Sequence, residues 1–212
     1  MALDEEKVIQ NALAWLPGLF AGEASGHDWQ HSLRVYRSAM TICEKEGGDR
    51  FLVALAALLH DADDRKLFAT HDTLAHARLF LTLNGAGAAQ AEAVCGIIRT
   101  VSFSAGLTPT SLEGQIVQDA DRLDAIGAIG IARTFAYGGH KGRALCPPGG
   151  PAQPGVTDFC DVEGSSIGHF YEKLLKLKAL MNTATARQLA EARHAYMVGF
   201  LRQFYGEWNG AQ

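Results

Sequence analysis

Apolar residues recur along this chain at the three- and four-residue spacing of helix faces, and alternating strand patterns are scarce. Val8, Ala12, Leu13 and Leu16 form a first stripe that ends before Pro17-Gly18. The next pattern predicts a helix over about 27–46, stopped by Gly47-Gly48. Asp49 suits the N-cap of a third helix. The run that follows, 51–59, is apolar on every side, the mark of a helix buried all round. Further helical patterns cover about 71–84, 88–101 and 111–137, separated by Asn84-Gly85 and by the stretch 106–109. Ile167, Phe170, Leu174, Leu177 and Met181 stripe another helix, and Leu189, Tyr196, Phe200, Phe204 and Trp208 stripe the last. The pattern predicts a single all-α domain over 1–212, a helical bundle of about eight or nine helices.

Residues 138–165 break the periodicity. Pro147, Pro148, Pro151 and Pro154 lie there among many glycines, which predicts a long irregular loop. Amphipathic helices resume at once and fill 166–208, so the loop belongs inside the domain. Loops of this length in a compact domain are often functional.

Composition narrows the function classes. At 212 residues and 48% hydrophobic, the chain can bury a core without disulfides or a structural metal. A formal net charge of -4 argues against gripping a nucleic-acid backbone, which calls for a clustered basic field. The cysteines, Cys43, Cys95, Cys146 and Cys160, form no Cys-x-x-Cys pair and read as reduced thiols of a cytoplasmic protein. The first ten residues are charged and lack an apolar signal region, and no apolar run approaches the ~20 residues needed to cross a bilayer.

The chemistry starts at His60-Asp61. This pair ends the wholly apolar run, so the last turn of a buried helix delivers an imidazole and a carboxylate into the interior. Burying an ionised carboxylate is costly unless something positive meets it, and a divalent metal is the simplest partner that also explains the imidazole. His31 shares a helix face with Val35, Ala39 and Ile42 and so turns inward; His27 lies one turn earlier on the same side. Asp121 and Asp124 sit three apart within an otherwise apolar helix. Two imidazoles and two carboxylates suit Mn²⁺ first, with Co²⁺, Ni²⁺, Fe²⁺, Zn²⁺ or Mg²⁺ as other occupants and water completing the shell. No thiol is implicated, which argues against a closed structural zinc site.

His31, then His60-Asp61, then Asp121, each on a separate helix, resembles the H…HD…D signature of the HD-domain metal-dependent phosphohydrolase superfamily. The core of the resemblance covers about 20–137. Outside the signature, 117–128, 98–104 and 166–175 resemble stand-alone bacterial members of the YedJ/YpgQ-like type, which extends the likeness over nearly the whole chain. The resemblance implies the metal ligands His31, His60, Asp61 and Asp121. It also implies an acidic catalytic residue four positions after the motif histidine, which here is Asp64, with Asp63 adjacent. Four apart on a helix puts Asp64 on the face of His60. Two-metal relatives carry a His-His pair where this chain reads Ile97-Ile-Arg-Thr-Val, so one metal ion is expected.

Phosphate calls for cationic contacts as well as metal. Candidate substrate-binding residues are His27, Arg34, Lys66, Arg99, Arg122, Asp124, His169 and Lys173. The expected activity is hydrolysis of a phosphorylated small molecule; the resemblance suggests a nucleotide, with release of phosphate or pyrophosphate. The rival readings are a non-catalytic metal- or nucleotide-sensing module and an iron-dependent oxygenase on the same scaffold.

Overall fold

The computed structural model describes residues 3–21, 29–65, 67–71, 73–101, 107–146 and 164–211. Among them the regular structure is nine α-helices and one 3₁₀ segment, with no strand, as the periodicity predicts. The helices are α1 (Glu5–Leu19), α2 (Trp29–Glu46), α3 (Arg50–Leu59), α4 (Ala75–Leu83), α5 (Ala88–Val101), α6 (Leu112–Asp124), α7 (Gly127–His140), α8 (Gly168–Glu172) and α9 (Ala184–Trp208); the 3₁₀ segment is Leu174–Leu180. The chain divides into two compact units, Met1–Asp121 and Arg122–Gln212.

In the first unit α3 is the central element and packs against α1, α2 and α5. Asp49 caps it, accepting from the amides of Phe51 and Leu52 at 2.9 and 3.1 Å. Phe51 and every residue from 53 to 59 are buried, each large side chain contributing roughly 1.5–3 kcal/mol. Gly47 and Gly48 stop α2 at φ +86° and +96°, a region costly for residues with a Cβ. Asp4 caps α1, and Trp15 meets Phe80 of α4 at 5.1 Å between ring centroids. Glu113 of α6 accepts from the Asp49 amide at 3.0 Å, and Gln118 donates to the carbonyls of Thr100 and Leu107.

The second unit is built on aromatic packing. Phe170 of α8 lies 6.1 Å from Phe135 of α7 and 5.8 Å from Phe200 of α9. The hydroxyls of Tyr171 and Tyr205 hydrogen-bond to each other.

Several boundaries differ from the sequence pattern. The helix expected over 111–137 is two helices, because the chain turns at Gly127 with φ +78°. The Arg193 side chain packs so close there that a Cβ would meet its Cγ at 3.0 Å. The helix expected to open near 71 starts at Ala75, after Leu74 in the left-handed region at φ +52°. The 167–181 stripe is a short α8 and a 3₁₀ segment, broken at Lys173 (φ -134°, ψ -59°); a three-residue repeat still aligns Leu174 with Leu177. On α9 the buried line is Ala186, Ala190, Met197, Leu201 and Tyr205, while Tyr196 is 59% exposed. Small and aliphatic residues set that face, with Phe200 and Phe204 at its edge. α1 runs on through Pro17 to Leu19, because a proline in the last turn forfeits only one backbone bond. No helix among the described residues is long and apolar enough to cross a membrane.

Replacing Phe170 by alanine is expected to destabilise the protein by about 3–5 kcal/mol, since it empties the centre of the aromatic cluster. Urea unfolding followed by circular dichroism measures this.

Candidate metal centre

Three stretches of the first unit converge on one point. α2 turns its apolar face, Val35, Ala39 and Ile42, inward and carries His31 with it, leaving 2% of the residue exposed. α3 ends at Leu59, and His60 follows as its C-cap with Asp61 next in the turn. Asp121 lies in the last turn of α6. The C-terminal end of α3 brings the partial negative charge of its carbonyls toward the same place, which favours a cation.

The imidazoles of His31 and His60 meet edge to face, with centroids 5.1 Å apart and Nε2 atoms 3.2 Å apart. Asp61 presents one oxygen to each ring, Oδ2 at 3.4 Å from His31 and Oδ1 at 3.4 Å from His60. Asp121 Oδ1 is 3.3 Å from His31 Nε2 and 3.9 Å from His60 Nε2. One ligand atom each from His31, His60 and Asp121 lies within 4.8 Å of the others, a group able to hold a metal ion.

The electrostatics point the same way. His60 Nδ1 donates to the Ala57 carbonyl at 2.9 Å, which fixes that nitrogen as the protonated one and turns Nε2 toward the cluster. Two imidazole nitrogens facing each other at 3.2 Å beside two carboxylates call for a proton or a cation among them. Asp121 is packed closely by protein yet keeps 26% of its side chain open. That packing alone would push its carboxyl up; the hydrogen bond from His31 and the charges of His60 and His31 outweigh it, and the group is held below the usual carboxylate range. Two imidazoles with two carboxylates, and no thiol, fit a borderline divalent ion with open positions.

The other candidates fall in different places. Asp64 follows Asp61 by three residues, but α3 has already ended, so it does not share a helical face with His60. The chain there closes one-turn bonds, from the Ala62 amide to Leu59 and from the Asp64 amide to Asp61, both at 3.0 Å. Asp63 is 1% exposed and turned to the start of α4, where Oδ1 accepts from the His76 amide and Oδ2 from the Ala77 amide, each at 3.0 Å. Arg34 is half-buried on α2, three residues after His31. Arg99 is exposed and bonded to Glu92 at 2.9 Å, an anion it shares with Arg78.

Within the second unit, Arg122 donates to the Leu180 carbonyl. Asp124 is buried against Arg133 at 2.7 Å, a partner nine residues on that no local spacing announced. His169 is half-buried beside Glu172 at 3.7 Å; burial, with Lys173 and Arg143 nearby, pushes its imidazole below the usual range despite Glu172. Lys173 sits at the break between α8 and the 3₁₀ segment. His27 and Lys66 lie outside the described residues.

Residues 28–126 match the HD domain family. The Bacillus subtilis protein YpgQ is 43% identical over 207 residues, 95% of this chain and 94% of that one. A crystal structure of an HD-superfamily hydrolase from Bacillus thuringiensis is 43% identical, covers 98% of this chain and all of that one, and has a TM-score of 0.76. The structure of Bacillus subtilis YpgQ in complex with ADP has a TM-score of 0.77 at 40% identity, covering 96% of this chain and all of its own.

Removing one carboxylate from this cluster should empty it of metal. Asp61→Ala is expected to lose stoichiometric Mn²⁺, measured by elemental analysis after gel filtration, while its far-ultraviolet circular dichroism stays that of the parent.

Proposed function

The chain belongs to the HD superfamily, and on that premise we propose that it is a metal-dependent phosphohydrolase acting on a nucleotide, releasing phosphate or pyrophosphate. The observation that carries the reading is the convergence of His31, His60, Asp61 and Asp121, with imidazole and carboxylate edges 3.2 to 3.9 Å apart. The ADP complex of YpgQ supports a nucleotide as the ligand class.

In this reading the four side chains hold one divalent ion, Mn²⁺ first among those that suit nitrogen and oxygen donors. When bound, such an ion polarises a phosphoryl oxygen and lowers the pKa of coordinated water. The residues of the chain do the rest. His60, with its Nδ1 proton held by the Ala57 carbonyl, keeps one tautomer and one ring orientation. Asp121 stays ionised under the influence of His31 and His60. Asp64, half-buried in the turn that carries His60 and Asp61, takes or returns the proton of the attacking water. Arg34, one turn from His31, supplies positive charge to the phosphate. Asp63 is occupied by α4, which leaves Asp64 as the acid–base candidate of the pair.

A panel of nucleoside mono-, di- and triphosphates with Mn²⁺, Co²⁺ or Mg²⁺, read as release of phosphate and pyrophosphate, tests the reaction. Turnover of at least one nucleotide, abolished by chelator and restored by the ion, is the expected result. Tight nucleotide binding without release would instead mark a sensing module.

Asp64→Ala is expected to retain its metal and lose about 10²–10⁴-fold in kcat. A metal-replete variant with full activity would remove Asp64 from the mechanism.

A further inference from the structure

The turn at 60–64 supports two of the four proposed ligands, and little in its own backbone fixes it. α3 has ended at Leu59, and the turn closes on itself through the bonds from Ala62 to Leu59 and from Asp64 to Asp61. Its strongest ties run instead to the segment that begins α4, through Asp63. Oδ1 of Asp63 accepts from the Thr70 hydroxyl and, at 3.0 Å, from the His76 amide; Oδ2 accepts from the Ala77 amide at 3.0 Å. His76 Nδ1 faces Asp63 Oδ1 at 3.0 Å and the Ala62 carbonyl at 3.1 Å, and His71 Nδ1 donates to the Asp63 carbonyl at 3.2 Å.

The arrangement answers two needs at once. α4 opens on Leu74, which offers no side-chain cap, so its first amides require an acceptor from elsewhere. A carboxylate as buried as that of Asp63 requires donors. Each requirement meets the other, and the helix N-terminus favours the negative charge. The consequence reaches further than a cap, because Asp63 stands two residues from Asp61 and three from His60. Any freedom of α4 relative to the turn becomes freedom of both ligand side chains.

We propose that Asp63 is a positioning residue for the metal centre, locking the His60–Asp61 turn to the first turn of α4 through Thr70, His76 and Ala77. The inference rests on the metal-binding reading above. A residue that orients ligands without touching the ion changes affinity by about 10–100-fold when lost.

The test compares Mn²⁺ affinity, by titration calorimetry on chelator-treated full-length protein, with thermal stability for four proteins: the parent, Asp63→Ala, Asp63→Asn and Asp4→Ala. The last removes the cap of α1, which carries no ligand, and so reports what capping loss alone does. Asp63→Ala should bind Mn²⁺ about 10–100-fold more weakly. Asp63→Asn should lose less, since its amide oxygen can still accept from Thr70 and His76. Asp4→Ala should melt earlier with unchanged Mn²⁺ affinity. Saturating Mn²⁺ should return the kcat of Asp63→Ala to within a few-fold of the parent, which it does not do for Asp64→Ala. Parental Mn²⁺ affinity in a folded Asp63→Ala overturns the proposal, as does an equal loss in Asp4→Ala. Should Asp63→Ala not fold, Asp63→Asn and Thr70→Val carry the test, and parental affinity in both overturns it. A parent that binds no Mn²⁺ refutes the metal reading and this inference together, whereas a binding parent with indifferent Asp63 variants refutes only this inference.

Discussion

Two imidazole nitrogens at 3.2 Å and two carboxylates within 3.9 Å of them gather lone pairs and negative charge that a proton or a cation must offset. The elements of the first unit can be understood as the means of bringing it about. α3 is apolar on all sides, so it is buried to its last residue and delivers His60 and Asp61 where water is sparse. α2 needs an apolar face only at Val35, Ala39 and Ile42 to carry His31 to the same depth. α6 adds Asp121 from its last turn. Low effective dielectric strengthens whatever cation these groups hold and raises the cost of leaving them unmet.

The turn after α3 shows how environment decides what a carboxylate does. Asp61 and Asp63 are two residues apart and chemically identical. Asp61 keeps 14% of its side chain open and faces two imidazoles. Asp63 is closed off and satisfied by a hydroxyl and two helix amides. The first meets imidazole edges, the company of a candidate metal ligand, while the second has its charge matched by protein donors. Asp64, three residues past Asp61, is half-buried in the same turn.

Much of this was legible in the sequence, and the parts that were not share a physical cause. The apolar run 51–59, the Asp49 cap and the Gly47-Gly48 stop are local signals, and each appears in the structure where the pattern put it. The inward face of His31 followed from three neighbours at helical spacing. The signals that failed are those settled by distant partners. The start of α4 depends on Asp63, more than ten residues upstream, so the local pattern opens the helix too early, near 71. The break between α6 and α7 depends on Gly127 together with Arg193 from another helix. Asp64 would share a face with His60 only if α3 continued, and α3 ends at Leu59. Asp124 finds Arg133 across that same break, a pairing that periodicity cannot reveal.

The central claim is that four side chains from three separated stretches hold one divalent ion. The most direct measurement is anomalous diffraction at the manganese edge from crystals grown with Mn²⁺. A single strong peak is expected, within coordination distance of the Nε2 atoms of His31 and His60 and of oxygens of Asp61 and Asp121. A peak elsewhere, or no peak with those four groups hydrogen-bonded only to one another and to protein donors, would contradict it.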